Sequence, residues 1–385
     1  MKSAVIITSD NYPCGDAGAV RQHAFAKILQ SLDYKVLVLG YGKSENGMTG
    51  TYEGVDFVTF RPNSGNILIR VLYRLVSNIR MVRYLRRKVK KTDLLLVVGV
   101  RPKTYGKLKR FAKKHNCTLV HDSVEWYSPE EYKNGSRNRS YRANEKLNTQ
   151  IMDKDWRVIS ISHFLHEHFE KKCNKSTCVP VIMDVLEAQY RQEPQKRDKT
   201  RFVYAGAPGR KDNLALLLEG FSMLTPEQLE QMEIRIVGVT KQALCEMCGA
   251  SDEVLEKLSG CLNALGRVPR AQAVEEVMDA DFSILLRNST LRYAKAGFPT
   301  KIVESLMCGT PVFCNLSSDL GLYLKDGENA VLIHGHDPED VKNAAQKALL
   351  LSPEERQSMR QQARETALKH FDYRNYIEQI GDLLK

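Results

Sequence analysis

Short apolar runs of strand length alternate with longer amphipathic stretches along this chain, and the alternation runs through twice. In the first half, residues 4–8, 35–39, 94–98 and 118–121 read as strands, and an amphipathic pattern over about 19–32 predicts the first helix. The second half repeats this with strands at 202–205, 233–237, 282–286, 311–314 and 330–333, and a helix at 213–221. Apolar runs this continuous suit strands covered on both faces, as in a parallel sheet flanked by helices. The pattern predicts two doubly wound α/β domains facing each other across a cleft. They span 1–182 and 201–365, joined by a polar linker at 183–200. A charged helical tail at 366–385 would pack back on the first domain.

Length and composition fit that reading: 385 residues, 43% hydrophobic and 27% charged, suit two globular domains. No run is long and apolar enough to span a bilayer. The opening from Met1 to Asp10 reads as a first strand rather than a leader. Nine scattered cysteines, with Cys245-x-x-Cys248 the one close pair besides Cys173/Cys178, supply no full zinc set and point to reduced, cytoplasmic thiols; no metal is expected.

Charge changes the picture more. The net charge is +11, but residues 1–190 hold 32 Lys+Arg against 18 Asp+Glu, leaving 25 against 28 in the rest. The segment from Leu68 to Lys91 carries nine cations between apolar residues at helical spacing, with no acid between Asp56 and Asp93. One reading is a core helix with a solvated basic face. The other, held slightly ahead, is peripheral docking on the anionic inner face of the cell membrane. A nucleic-acid partner is not expected, because basic and aromatic residues do not interleave and no recognition helix is evident.

Three segments carry candidate chemistry. The loop Pro13-Cys14-Gly15-Asp16-Ala17-Gly18 joins strand to helix, where bare backbone admits a phosphate or hydroxyl. Its spacing is not that of a dinucleotide fingerprint, and an ordinary βα turn explains it equally well. The stretch Tyr204-Ala-Gly206-Ala207-Pro-Gly209-Arg210-Lys211-Asp-Asn-Leu runs from a strand through glycines and two cations to a helix entrance, which suits a diphosphate leaving group. The third runs Ala296-Gly-Phe298-Pro299-Thr300-Lys301-Ile-Val-Glu304-Ser-Leu-Met-Cys-Gly309-Thr-Pro311. Pro299 reads as the first residue of a helix over 300–307, and Gly309 as its left-handed cap. Lys301 and Glu304 then share one helix face, where a lysine meets phosphate and a carboxylate accepts vicinal hydroxyls. As spacing alone, they would be a surface ion pair of little worth. Arg287, just after a strand, is a further candidate cation. On the N-terminal side His121 and Asp122 are candidates for acid/base or sugar-orienting roles, with Glu125 and Trp126 beside them for an acceptor.

Together these segments resemble the retaining family 4 glycosyltransferases of the GT-B fold. The 296–304 string is similar to that family's EGFxxxxxE donor motif, with Glu304 at the ribose-binding second glutamate and Ala296 in place of the first. In the family an arginine follows the glycine matching Gly206; here Ala207 stands there, so the resemblance assigns the diphosphate to Arg210 or, better, Lys211. It implies that Gly206, Arg287, Phe298, Pro299, Thr300 and Lys301 line the donor site. Gly15, Asp16, Gly18 and Arg21 would face phosphate and acceptor, and Gly266–Pro269 and Ser317–Asp319 would complete the base pocket. It further implies a UDP- or GDP-linked sugar donor, a glycan or polyprenol-linked acceptor, and transfer with retention by the leaving phosphate, without cofactor or metal. The alternatives are a sugar-nucleotide epimerase on the same fold and a relative that has lost turnover.

Overall fold

A computed structural model describes residues 1–13, 16–41, 49–60, 67–190, 198–207 and 211–385, with backbone alone for 67–75. The chain divides into two compact units, Met1–Asp184 with Asp372–Lys385, and Val185–Phe371.

The first unit is built on eight strands: β1 (Lys2–Thr8), β2 (Tyr34–Gly40), β3 (Thr49–Tyr52), β4 (Val55–Thr59), β5 (Leu94–Val98), β6 (Thr118–Ser123), β7 (Arg157–Ser160) and β8 (Lys175–Cys178). Their order is β3-β4-β2-β1-β5-β6-β7-β8, parallel except where β3 runs antiparallel to β4. Helix Ala17–Ser31 lays Phe25, Ile28 and Leu29 on Val36, Val38, Leu94 and Leu96. The returning C-terminal segment adds Tyr373, Ile380 and Leu383 to the same core. It is tied on by a bridge between Met183 and Asp372 and by the Arg374–Asp184 ion pair at 2.9 Å.

The second unit holds β9 (Thr200–Ala205), β10 (Met232–Val237), β11 (Leu262–Gly266), β12 (Phe282–Leu285), β13 (Val312–Cys314) and β14 (Ala330–Leu332). All are parallel, in the order β11-β10-β9-β12-β13-β14. Phe202, Phe221, Phe282 and Phe313 pack ring to ring at 5.2–5.6 Å between centroids. Buried aromatics of this size dominate a core's energetics. Strand order reverses beside β9, with β10 on one side and β12 on the other. Open parallel sheets take ligands beyond the carboxyl ends of the strands at such a reversal.

The nine strands expected from the apolar runs are all present. Five more, β3, β4, β7, β8 and β11, are short or polar. No described helix is long and apolar enough to cross a membrane.

Candidate functional site

At the reversal point of the second unit, three chain segments converge on one carboxylate. β9 ends at Ala205, and Gly206 follows with φ +139°. A Cβ there would lie 2.5 Å from the Lys301 Cε, so the bare backbone is what lets the lysine cross the strand end. Lys301 comes from helix Thr300–Met307, which has Pro299 as its N-cap rather than as its first residue; Gly309 follows at φ +72°. The Lys301 ammonium passes over the Tyr204 ring, 4.9 Å from its centroid, and donates to Asp212 Oδ2 at 2.5 Å.

Arg287, two residues beyond β12, donates its Nε to Asp212 Oδ1 at 3.2 Å. Its backbone is pinned by Asn315, which accepts from Arg287 N at 2.9 Å and donates to Arg287 O at 2.7 Å. The Tyr204 hydroxyl donates to Asp212 Oδ2 at 2.8 Å. Burial works against a charge on Asp212, but the Lys301 and Arg287 cations and two hydrogen bonds hold its carboxyl below the ordinary range.

Glu304 lies one helical turn on from Lys301. Burial raises its carboxyl pKa, and Arg270 and Lys301 act against the rise. The carboxylate accepts no hydrogen bond among the described residues, although it is half-buried. Two fixed cations and a carboxylate without a hydrogen bond can receive a diphosphate and a pair of hydroxyls.

Other expected donor residues are placed differently. Arg210 lies outside the described residues. The Lys211 ammonium sits 5.6 Å from the Tyr293 ring centroid, while the cations on Asp212 are Lys301 and Arg287. Phe298 is buried, 6% exposed, and packs on Tyr323 and Phe371 at 5.8 Å. Pro299 and Ala296 are buried, and Thr300 is half-buried at the helix start. Asp212 itself was missed, because a lone aspartate after two loop cations carries no motif.

In the first unit the expected catalytic pair has a different job. His121 is 2% exposed, its Nδ1 3.0 Å from the Val97 carbonyl and 3.2 Å from the Tyr105 hydroxyl, its ring edge-on to Tyr105 and Phe169. Burial pushes its pKa down to about 4, so it is a neutral core histidine rather than an acid/base group. Asp122 accepts from Arg21 Nε and Nη2 at 2.9–3.2 Å and from Gln22 Nε2 at 2.8 Å. Arg21 also donates Nη1 to the Pro180 carbonyl and Nη2 to the Val179 carbonyl. This buried fork ties β6 to the first helix, so neither Arg21 nor Asp122 is available to a ligand as expected.

Gly15 lies outside the described residues. Asp16 caps the first helix, accepting from Ala19 N at 2.9 Å and from Asn11 N and Nδ2 at 2.9 and 2.8 Å. Gly18 makes room for a side chain, not a ligand: a Cβ would stand 2.5–2.7 Å from the Asp10 carboxyl. Asp10, absent from the sequence reading, takes the Thr8 hydroxyl at 2.6 Å. Burial, together with Asp16, Asp122 and Glu125, pushes its pKa up to about 7. Trp126 donates Nε1 to Glu145 at 3.0 Å and tilts over His168 at 4.3 Å, while the Glu125 carboxylate meets the Tyr127 hydroxyl. In the basic segment, Met81, Val82 and Leu85 are buried, while Arg83, Arg86, Arg87, Lys88, Lys90 and Lys91 are exposed. The residues from Leu68 to Leu75 lie outside the described side chains.

A two-unit α/β chain with these two parallel sheets has the fold of the GT-B glycosyltransferases, as comparison with solved structures shows. Sucrose-phosphate synthase from Thermosynechococcus elongatus superposes with a TM-score of 0.76 at 14% identity, covering 100% of this chain and 98% of the other. HepE from Anabaena, solved with UDP and glucose, gives 0.69 at 13% identity, covering 100% and 99%. WaaG, a glycosyltransferase involved in lipopolysaccharide biosynthesis, gives 0.68 at 13%, covering 99% of each. More particularly, residues 187–366, within the second unit, match the model of the family glycosyl transferases group 1. No curated protein sequence matches the chain.

Proposed function

We propose that the protein transfers a sugar from a nucleoside diphosphate donor, UDP- or GDP-linked, to a hydroxyl of a glycan or polyprenol-linked acceptor, with retention of configuration. The observation that carries this reading is the grouping of Lys301, Arg287 and Glu304 at the reversal point of the second sheet. Glu304 accepts the two ribose hydroxyls. Lys301 and Arg287 face the diphosphate and offset the charge that grows on it as the glycosidic C–O bond breaks, without reorganisation. With that counter-charge fixed in the protein, transfer proceeds without a metal ion. The leaving phosphate oxygen takes the acceptor proton on the face it vacates, so no protein nucleophile is needed. HepE's capture with UDP supports the choice of donor class.

Calorimetric titration of UDP and GDP tests this directly. Wild type binds one of them, and Glu304→Ala weakens that binding about tenfold or more, the scale of losing charge-assisted hydrogen bonds. An unchanged titration overturns the assignment of Glu304.

We further propose that the exposed cations Arg83, Arg86, Arg87, Lys88, Lys90 and Lys91 place the enzyme on the cytoplasmic leaflet, beside a lipid-linked acceptor. Each basic residue near an anionic surface contributes about 1 kcal/mol. In flotation, the protein rises with vesicles containing phosphatidylserine and stays behind with neutral ones; equal recovery removes the idea.

A further inference from the structure

We propose that Asp212 is a positioning residue for the donor's diphosphate: it aims the Lys301 ammonium and the Arg287 guanidinium before any ligand arrives. The inference rests on the donor reading above and adds to it a residue to which the motifs assign no role.

Three observations support it. First, both cations reach Asp212 from different segments, a helix and a strand end, and meet on opposite oxygens of one carboxylate. Second, the carboxylate is itself fixed. Asp212 is 6% exposed, the Tyr204 hydroxyl donates to it at 2.8 Å, and its backbone carbonyl accepts from Leu214 N at 2.7 Å where the following helix begins. Third, Gly206 leaves open the path along which Lys301 arrives.

A lysine has four rotatable side-chain bonds, and ordering it costs side-chain entropy. Held by Asp212, Lys301 has met that cost beforehand, and two of its three N–H donors remain for phosphate oxygens. The arrangement also keeps two like charges close together without mutual repulsion prevailing. Asn at 212 has the same shape but one acceptor oxygen and one donor nitrogen. It can hold one cation and must repel the other.

The test is a double-mutant cycle read by calorimetry, with UDP, GDP and ADP as probes. Asp212→Asn, Lys301→Met and the double variant are compared with wild type, and thermal unfolding confirms that each is folded. If Asp212 acts through Lys301, Asp212→Asn weakens nucleotide binding about tenfold in the wild-type background and less than about twofold in Lys301→Met. Equal losses in both backgrounds would mean a purely structural residue and overturn the proposal. So would unchanged or tighter binding in Asp212→Asn, which would make Asp212 a competitor of the diphosphate. If Glu304→Ala weakens binding while the cycle is additive, the donor site stands and this inference alone fails. If wild type binds none of the three nucleotides, both fall.

Discussion

Asp10 shows how one carboxyl can write itself into the pH dependence of the whole first unit. Its pKa is pushed up to about 7 in the folded chain, against an ordinary value of 3.8. Between those values the folded state binds more protons than the unfolded one. Its contribution to stability is therefore complete below pH 3.8 and is lost as pH rises through 7. Asp10→Asn, neutral at every pH, should raise the melting temperature by a few degrees at pH 8 and leave it unchanged near pH 4. A difference independent of pH would show that Asp10 is not the titrating group. His121 works in the opposite sense. With a pKa near 4 it is neutral when folded, and the stability this confers is lost as pH falls from 6.5 towards 4.

Among elements, the C-terminal helix Ile377–Leu384 is small but well placed. Ile380 is 1% exposed within the first unit's core, and Leu383 4%. Ile380→Ala should cost about 3 kcal/mol in urea unfolding. Asp382→Ala, at a 61% exposed side chain paired with Lys385, should cost almost nothing. Strands that are continuous apolar runs, such as β5 and β13, were legible in the sequence because burial on both faces leaves them no polar positions. β7 and β8 were not: they are four residues each, and edge strand β8 reads Lys-Ser-Thr-Cys, which suits an edge that must not recruit a neighbour. The β3–β4 hairpin was readable in principle. Glu53 and Gly54 both take positive φ, 46° and 78°, at a two-residue turn between alternating strands. Within the site, the Lys301–Glu304 helix followed from proline, spacing and glycine. The Arg21–Asp122 fork did not, since residues 101 apart in sequence give no local sign that they will neutralise each other.

On the scale of the whole molecule, the second unit is an insertion in the first. The chain leaves at Asp184 and resumes at Asp372, and Met183 bridges to Asp372 while Tyr373 N donates to Met183 O at 3.0 Å. Points this close can be joined directly. Replacing 185–371 with a short Gly/Ser linker should give a protein that unfolds cooperatively in urea and keeps an α/β circular dichroism spectrum; a featureless melt would contradict this. The same route has a consequence during synthesis. Helix Ala17–Ser31 emerges from the ribosome early, but the side chains that cover it from the other end of the chain arrive only after the 187 residues of Val185–Phe371. At roughly 5–20 residues per second, that is a wait of about 10–40 seconds. For that interval an apolar strip stays bare, open to a chaperone or to a neighbouring nascent chain.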